Sequence, residues 1–212
     1  MIETLLPHLP AFAAAYAILF VAASSPGPAV ALLLGIGTTQ GRTAALTASA
    51  GIATGSVAIN LATLAGVGLL LSQAAWAMQI LRLIGAAYLA WLAWSAFRKA
   101  VAPPTVVAAQ VARMTLPRLF ATGLLLQITN PKAIVFWLAI AAIGATQGGG
   151  PAVVAAFVVG AFAISFLCHG AWAVLLSSSP VRRGYARARR WVEAGLGTLF
   201  AGFALRLATD RS

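Results

Sequence analysis

The sequence predicts an all-α membrane protein of about six transmembrane helices, built as two inverted three-helix repeats with broken first and fourth helices. Three observations carry that expectation. Hydrophobic residues make up 61% of the 212-residue chain and charged residues only 8%, whereas soluble domains carry roughly a quarter charged residues. No formally charged residue occurs between Arg42 and Arg82 or between Lys132 and Arg182, and each gap exceeds the roughly 20 apolar residues that cross a hydrocarbon core. Two proline-centred interruptions fall in corresponding places of the two halves. The length accommodates several spans and short connections but no folded domain in water, so residues 1–212 are read as one transmembrane domain.

Taken in order, the spans are expected at about 11–36, 44–70, 77–97, 118–144, 151–177 and 191–208. The first follows Glu3 with no Lys or Arg before its apolar stretch, so it lacks the positive leader of a cleaved signal peptide and is kept as a span. The second carries Gly51-x-x-x-Gly55, spacing that lets helices approach closely, within one chain in preference to a dimer face. The third begins near Arg82, whose long side chain is expected at the outer interface. Residues 98–117, with Arg98, Lys99, Arg113 and the Pro103-Pro104 pair, read as the central linker. The fifth span contains Cys168, read as a small buried residue, and His169, which is either a proton carrier or a hydrogen-bonded structural histidine. Before the sixth, 178–190 supplies Arg182, Arg183, Arg187, Arg189 and Arg190.

Arg42, the linker and 178–190 are thus the basic connections, whereas 71–76 and 145–150 contain no Lys or Arg. Because short Lys/Arg-bearing loops stay in the cytoplasm, this pattern predicts a multi-pass protein with both termini outside. The net charge of +11 is then explained by attraction to the anionic cytoplasmic leaflet, not by nucleic acid.

The breaks are the informative features. In Ser24-Ser25-Pro26-Gly27-Pro28 two prolines within three residues remove two backbone donors and clash with the preceding turn. In Thr129-Asn130-Pro131-Lys132, Asn130 suits an N-cap and Pro131 the first helical position. Each break opens a putative repeat, about 1–97 and 118–212, joined by the linker. Interrupted helices at matching positions of inverted halves point to a midplane substrate site in a secondary transporter. The alternative is a pair of proline kinks packed against neighbouring helices.

Helices restarting at Pro28 and Pro131 present free N–H groups around Ala29 and Lys132, an arrangement that suits an anion such as a carboxylate. Lys132 adds a full charge, at a cost of at least about 2.5–3.5 kcal/mol near the bilayer centre. Two readings of it stay open, a functional cation at the site and an interfacial anchor. For a substrate ammonium, carbonyls of residues 21–23 and oxygens of Asn60, Gln127 and Thr129 are the candidates. The expected substrate-binding set is therefore Ser25, Pro26, Gly27, Pro28, Ala29, Asn60, Gln127, Thr129, Asn130, Pro131 and Lys132. Phe136 and Trp137 are read as packing residues or interface anchors, with cation–π contact to the substrate ammonium as the alternative.

The segment SPGPAVALLLGIGTTQGRTAALTASAGIATG, with LRLIGAAYLAWLAWSAF and LLLQITNPKAIVFWLAI further on, resembles the LysE-type amino-acid exporter superfamily, including its homoserine/threonine-efflux branch. The resemblance covers roughly two thirds of the chain and weakens from residue 145 onward. It implies a six-helix exporter in a bacterial inner membrane, moving amino acids or related zwitterions out of the cytoplasm and driven by the proton gradient. One departure matters: where members of that superfamily commonly have an Asp after the glycine pair of the second helix, this chain has Ser56. Its acids are Glu3, Glu193 and Asp210, and none falls in the middle of an expected span.

A channel would need a continuous polar lining or charged rings, which the sequence lacks; a structural membrane protein would not require two breaks. An enzyme would need a metal cluster, an acid pair or a nucleophile with its base, and two histidines and one cysteine supply none of these. No cofactor is expected. The expected partners are a neutral amino acid and the bilayer, with proton coupling and a homo-oligomer left open.

Overall fold

The computed structural model describes residues 2–73, 75–103 and 111–209, apart from the side chains of residues 2, 67–73, 75–78, 81 and 82. Arg82 and the Pro104 half of the linker's proline pair therefore lie outside the described side chains. The elements among the described residues are all helical: α1 (Ile2–Leu5), a short 3-10 turn (Leu6–His8), α2 (Leu9–Ser24), α3 (Pro28–Thr39), α4 (Gly41–Gln73), α5 (Ala75–Val101), α6 (Leu116–Thr129), α7 (Pro131–Ala141), α8 (Pro151–Leu176) and α9 (Ser179–Thr209).

Among the described residues, four stretches are long and apolar enough to cross a membrane: 3–24, 41–66, 151–176 and 179–209. The pair α6 and α7, bent by 61°, makes a fifth. The expected third span lies within α5, which has 27 residues. Large apolar side chains point outward from these helices, among them Val159, Leu167 and Leu205, each at least 67% exposed. Such a surface is unfavourable in water and natural against lipid.

One boundary and one burial differ from the sequence expectation. Residues 178–190, expected as a connection, are helical from Ser179 onward. Arg182 donates from Nη1 to the Leu176 carbonyl at 2.8 Å, so it caps α8 and lets the next helix begin almost at once. Glu193, placed by the sequence near the edge of a span, is only 2% exposed, with Arg189 Nε at 3.7 Å one turn before it.

Tight crossings organise the interior. A Cβ on Gly51 would overlap the Phe120 carbonyl, and one on Gly123 would overlap the Ala48 carbonyl. The glycine pair of α4 therefore serves packing against α6 within the chain, where small residues let two backbones touch. The buried side chains form a larger cluster around Phe12, Leu89, Trp137, Phe157 and Phe200. A second, around Leu33, Ile36, Ile52 and Leu119, joins α3, α4 and α6.

The basic connections gather at one end of the bundle. Gln40 accepts from the Met114 N–H at 2.8 Å and donates to the Ala112 carbonyl at 3.3 Å, clasping the linker to the first turn. That turn passes through Gly41 at φ +85°, a left-handed conformation that favours glycine. The α3 end lies beside the α8 end, where a Cβ on Gly37 would stand 2.9 Å from Ser177 Oγ. At the other end His8 Nδ1 meets the Ala145 carbonyl at 3.1 Å, in the connection without Lys or Arg.

Candidate functional site

The first break forms as proline chemistry requires. Pro26 has no N–H and disfavours helical geometry at the residue before it; Ser25 is extended at φ −80°, ψ 135°. Its hydroxyl turns back to the Ala22 carbonyl at 2.9 Å. Pro28 then starts α3, whose Ala31 N–H bonds the Gly27 carbonyl at 3.0 Å. For the Ala29 and Val30 N–H groups no protein acceptor occurs among the described residues, as expected of a first helical turn.

The second break repeats the design. Asn130 at φ −76°, ψ 111° separates α6 from α7, and its side chain accepts the Lys132 N–H at 3.1 Å. The Ile134 N–H reaches the Asn130 carbonyl at 3.1 Å. Asn130 is thus the N-cap and Pro131 the first helical residue, as the sequence indicates. Thr129 faces outward and bonds its own helix through the Leu125 carbonyl at 2.7 Å.

Lys132 joins the two breaks. Its ammonium donates to the Ala22 carbonyl at 3.3 Å, to the Ser25 carbonyl at 3.1 Å and to the Ser25 hydroxyl. The C-terminal carbonyls of α2 carry the negative end of the helix dipole, so they offset the cost of placing this charge inside the bundle. The sequence reading reserves the carbonyls of residues 21–23 for a substrate ammonium; of these the protein's own lysine holds that of Ala22, together with the Ser25 carbonyl. Gly27 passes directly beside the ammonium, a Cβ there standing 3.4 Å from Lys132 Nζ, an ordinary contact. Phe136 lies with its ring centroid 6.0 Å from Nζ, at the outer limit of cation–π attraction. Trp137 is a core residue, 2% exposed.

Next to this junction runs a buried polar string. Gln127 Nε2 on α6 donates to Ser56 Oγ on α4 at 2.8 Å, Ser56 and Ser165 hydroxyls meet at 3.1 Å, and His169 Nδ1 lies 2.8 Å from the Ser165 carbonyl on α8. Together with Ser25, Gly27, Pro28, Ala29, Asn130 and Lys132, these four line a cavity of about 40 Å³, room for roughly three waters.

Of the expected set, Pro26, Asn60, Thr129 and Pro131 do not line this cavity. Asn60 is 1% exposed on α4, and its Nδ2 has no hydrogen-bond partner among the described residues. Sequence reasoning overlooked Ser165 and gave Ser56 no part in the site. The legible signal for the first was its four-residue spacing from His169, which puts both on one helix face.

A family model described as LysE type translocator matches residues 20–211. The threonine efflux protein of Escherichia coli strain K12 is 29% identical over 197 residues, covering 90% of this chain and 94% of that one. The leucine efflux protein of Klebsiella pneumoniae is 29% identical over 195 residues, 88% of this chain and 89% of its own. An uncharacterized membrane protein of Pseudomonas aeruginosa is 30% identical over 198 residues, 87% of this chain and 88% of its own. No solved structure matches the chain.

Proposed function

The chain belongs to the LysE type translocator family, and from that premise we propose that it is a secondary active exporter of amino acids in a bacterial plasma membrane, working by alternating access around the cavity where its two broken helices meet. The observation that carries this reading is Lys132, a cation in the cavity wall held by exchangeable contacts to the end of α2. A substrate carboxylate would draw the ammonium from those carbonyls and meet the free first-turn N–H groups of α3.

Part of the helix packing fits a repeat in two halves. Exchanging the halves carries the contacts of α2 and α3 with α8 onto those of α6 and α7 with α4, while the α5–α9 and α4–α8 pairs map onto themselves. Rocking of one half against the other would open the cavity, which is too small for an amino acid as it stands. Proton coupling completes the reading: among the described residues no Asp or Glu lines the cavity, so Lys132 and His169 are the groups described there that take up and release a proton.

The direct test is efflux from cells lacking other exporters, across a panel of amino acids. Transport of none of them above the background of empty-vector cells would end this reading. Neutral amino acids are expected to leave at least about tenfold faster than lysine or arginine, because a second cation would meet Lys132 with no acid among the described residues of the cavity wall to pair with it. Lysine efflux exceeding that of threonine, homoserine and leucine would contradict that preference.

The basic end of the bundle faces the cytoplasm in this reading. Cysteines replacing the exposed Arg113 and Arg187 should resist an impermeant thiol reagent added to intact cells and react once the membrane is opened. Labelling of both from outside would reverse the orientation.

A further inference from the structure

An amino acid brings an ammonium as well as a carboxylate into the bundle, and a charge inside it needs its own acceptors. In this structure Lys132 holds the Ala22 and Ser25 carbonyls at the end of α2, and the cavity wall offers two further acceptors, on His169 and Gln127. His169 is 5% exposed and lines the cavity. Its Nδ1 lies 2.8 Å from the Ser165 carbonyl; a carbonyl can only accept, so Nδ1 carries the hydrogen and the neutral ring keeps its lone pair on Nε2. For Nε2 no partner occurs among the described residues, although the side chain is more than nine-tenths buried. Gln127 is oriented in the same way: Nε2 donates to Ser56 at 2.8 Å, which leaves Oε1 as an acceptor on a residue that also lines the cavity. The Ser56–Ser165 contact at 3.1 Å links the two, so α4, α6 and α8 set both orientations together.

We propose that His169 Nε2, together with Gln127 Oε1, receives the α-ammonium of the substrate, which makes His169 a residue that selects α-amino acids over α-hydroxy acids. The assignment rests on the exporter reading above. An α-hydroxy acid offers Lys132 the same carboxylate but brings no charged donor to His169, and a site built to accept a hydrogen bond rejects a ligand that lacks the donor.

The test compares proteoliposome transport of threonine and leucine with that of their α-hydroxy analogues, 2,3-dihydroxybutyrate and 2-hydroxyisocaproate, as ratios of kcat/KM. In His169→Leu the amino-to-hydroxy ratio should fall by about tenfold or more, the size of a lost hydrogen bond to a charged group. His169→Gln, whose amide oxygen reaches toward the Nε2 position, should retain most of the ratio. If His169→Leu fails to insert, His169→Asn decides by the same ratio, because its shorter amide replaces Nδ1 and places nothing at Nε2. An unchanged ratio in these variants, or equal loss of both substrates, overturns the assignment while leaving export itself standing. Failure of the wild-type protein to carry either amino acid overturns the exporter reading and this assignment with it.

Discussion

Replacing Lys132 by alanine should reduce amino-acid efflux by roughly ten- to a hundredfold, the loss expected when a charged hydrogen bond to substrate is removed. Among the described residues the ammonium is the one charged group in the cavity wall, and it ties the second break to the first. Its removal also takes the Lys132 donor from the Ser25 carbonyl, while Ala22 keeps the Ser25 hydroxyl, at a stability cost of about 1–3 kcal/mol. The two effects separate experimentally. Membrane insertion and detergent-solubilised Tm report the lost cap, whereas efflux at matched protein amounts in proteoliposomes reports the substrate role. Lys132→Arg tests the proton: a guanidinium can cap α2 but stays protonated, so this variant should keep its Tm and still transport poorly. Wild-type rates in Lys132→Ala would leave Lys132 as a helix cap alone.

Gly51→Ala and Gly123→Ala should each lower stability by about 3 kcal/mol, at the upper end of what overpacking costs. A single methyl group is enough because the atoms it would meet, the Phe120 and Ala48 carbonyls, belong to backbone. No rotamer change relieves such an overlap, so α4 and α6 must move apart along much of their crossing. The glycine at 195 provides the comparison. It lies exposed on α9 and nothing stands within 4 Å of a Cβ placed there. Gly195→Ala should therefore be neutral or slightly stabilising through helix propensity. Equal Tm values for all three variants in detergent would show that the crossing has slack.

Much of the site could be read before any fold was known, for a local reason. Pro26, Pro28 and Pro131 act on their own backbone and on the turn beside them, so the ends of α2 and α6 and the starts of α3 and α7 follow from a few consecutive letters. Asn130 as N-cap is equally local. The polar string was hidden because its members are far apart in sequence: Ser56 and Ser165 meet over 109 positions and Gln127 and Ser56 over 71. Serines on apolar helices look alike whether they face a partner, a cavity or their own i−4 carbonyl, as Ser49 does.

What the sequence by itself determined is the membrane as solvent, the two helix breaks and the presence of an uncompensated cation beside the second. Composition, charge-free length and proline chemistry need no tertiary contact to act. The tertiary structure alone decided that Lys132 reaches across to the end of α2, that Gly51 and Gly123 bring α4 and α6 into backbone contact, and that Glu193 is buried against its neighbours. Each of these depends on which helix faces which. In a bundle whose helices are apolar on nearly every side, no hydrophobic periodicity marks the inward face, and small residues and a few hydrogen bonds choose the partners.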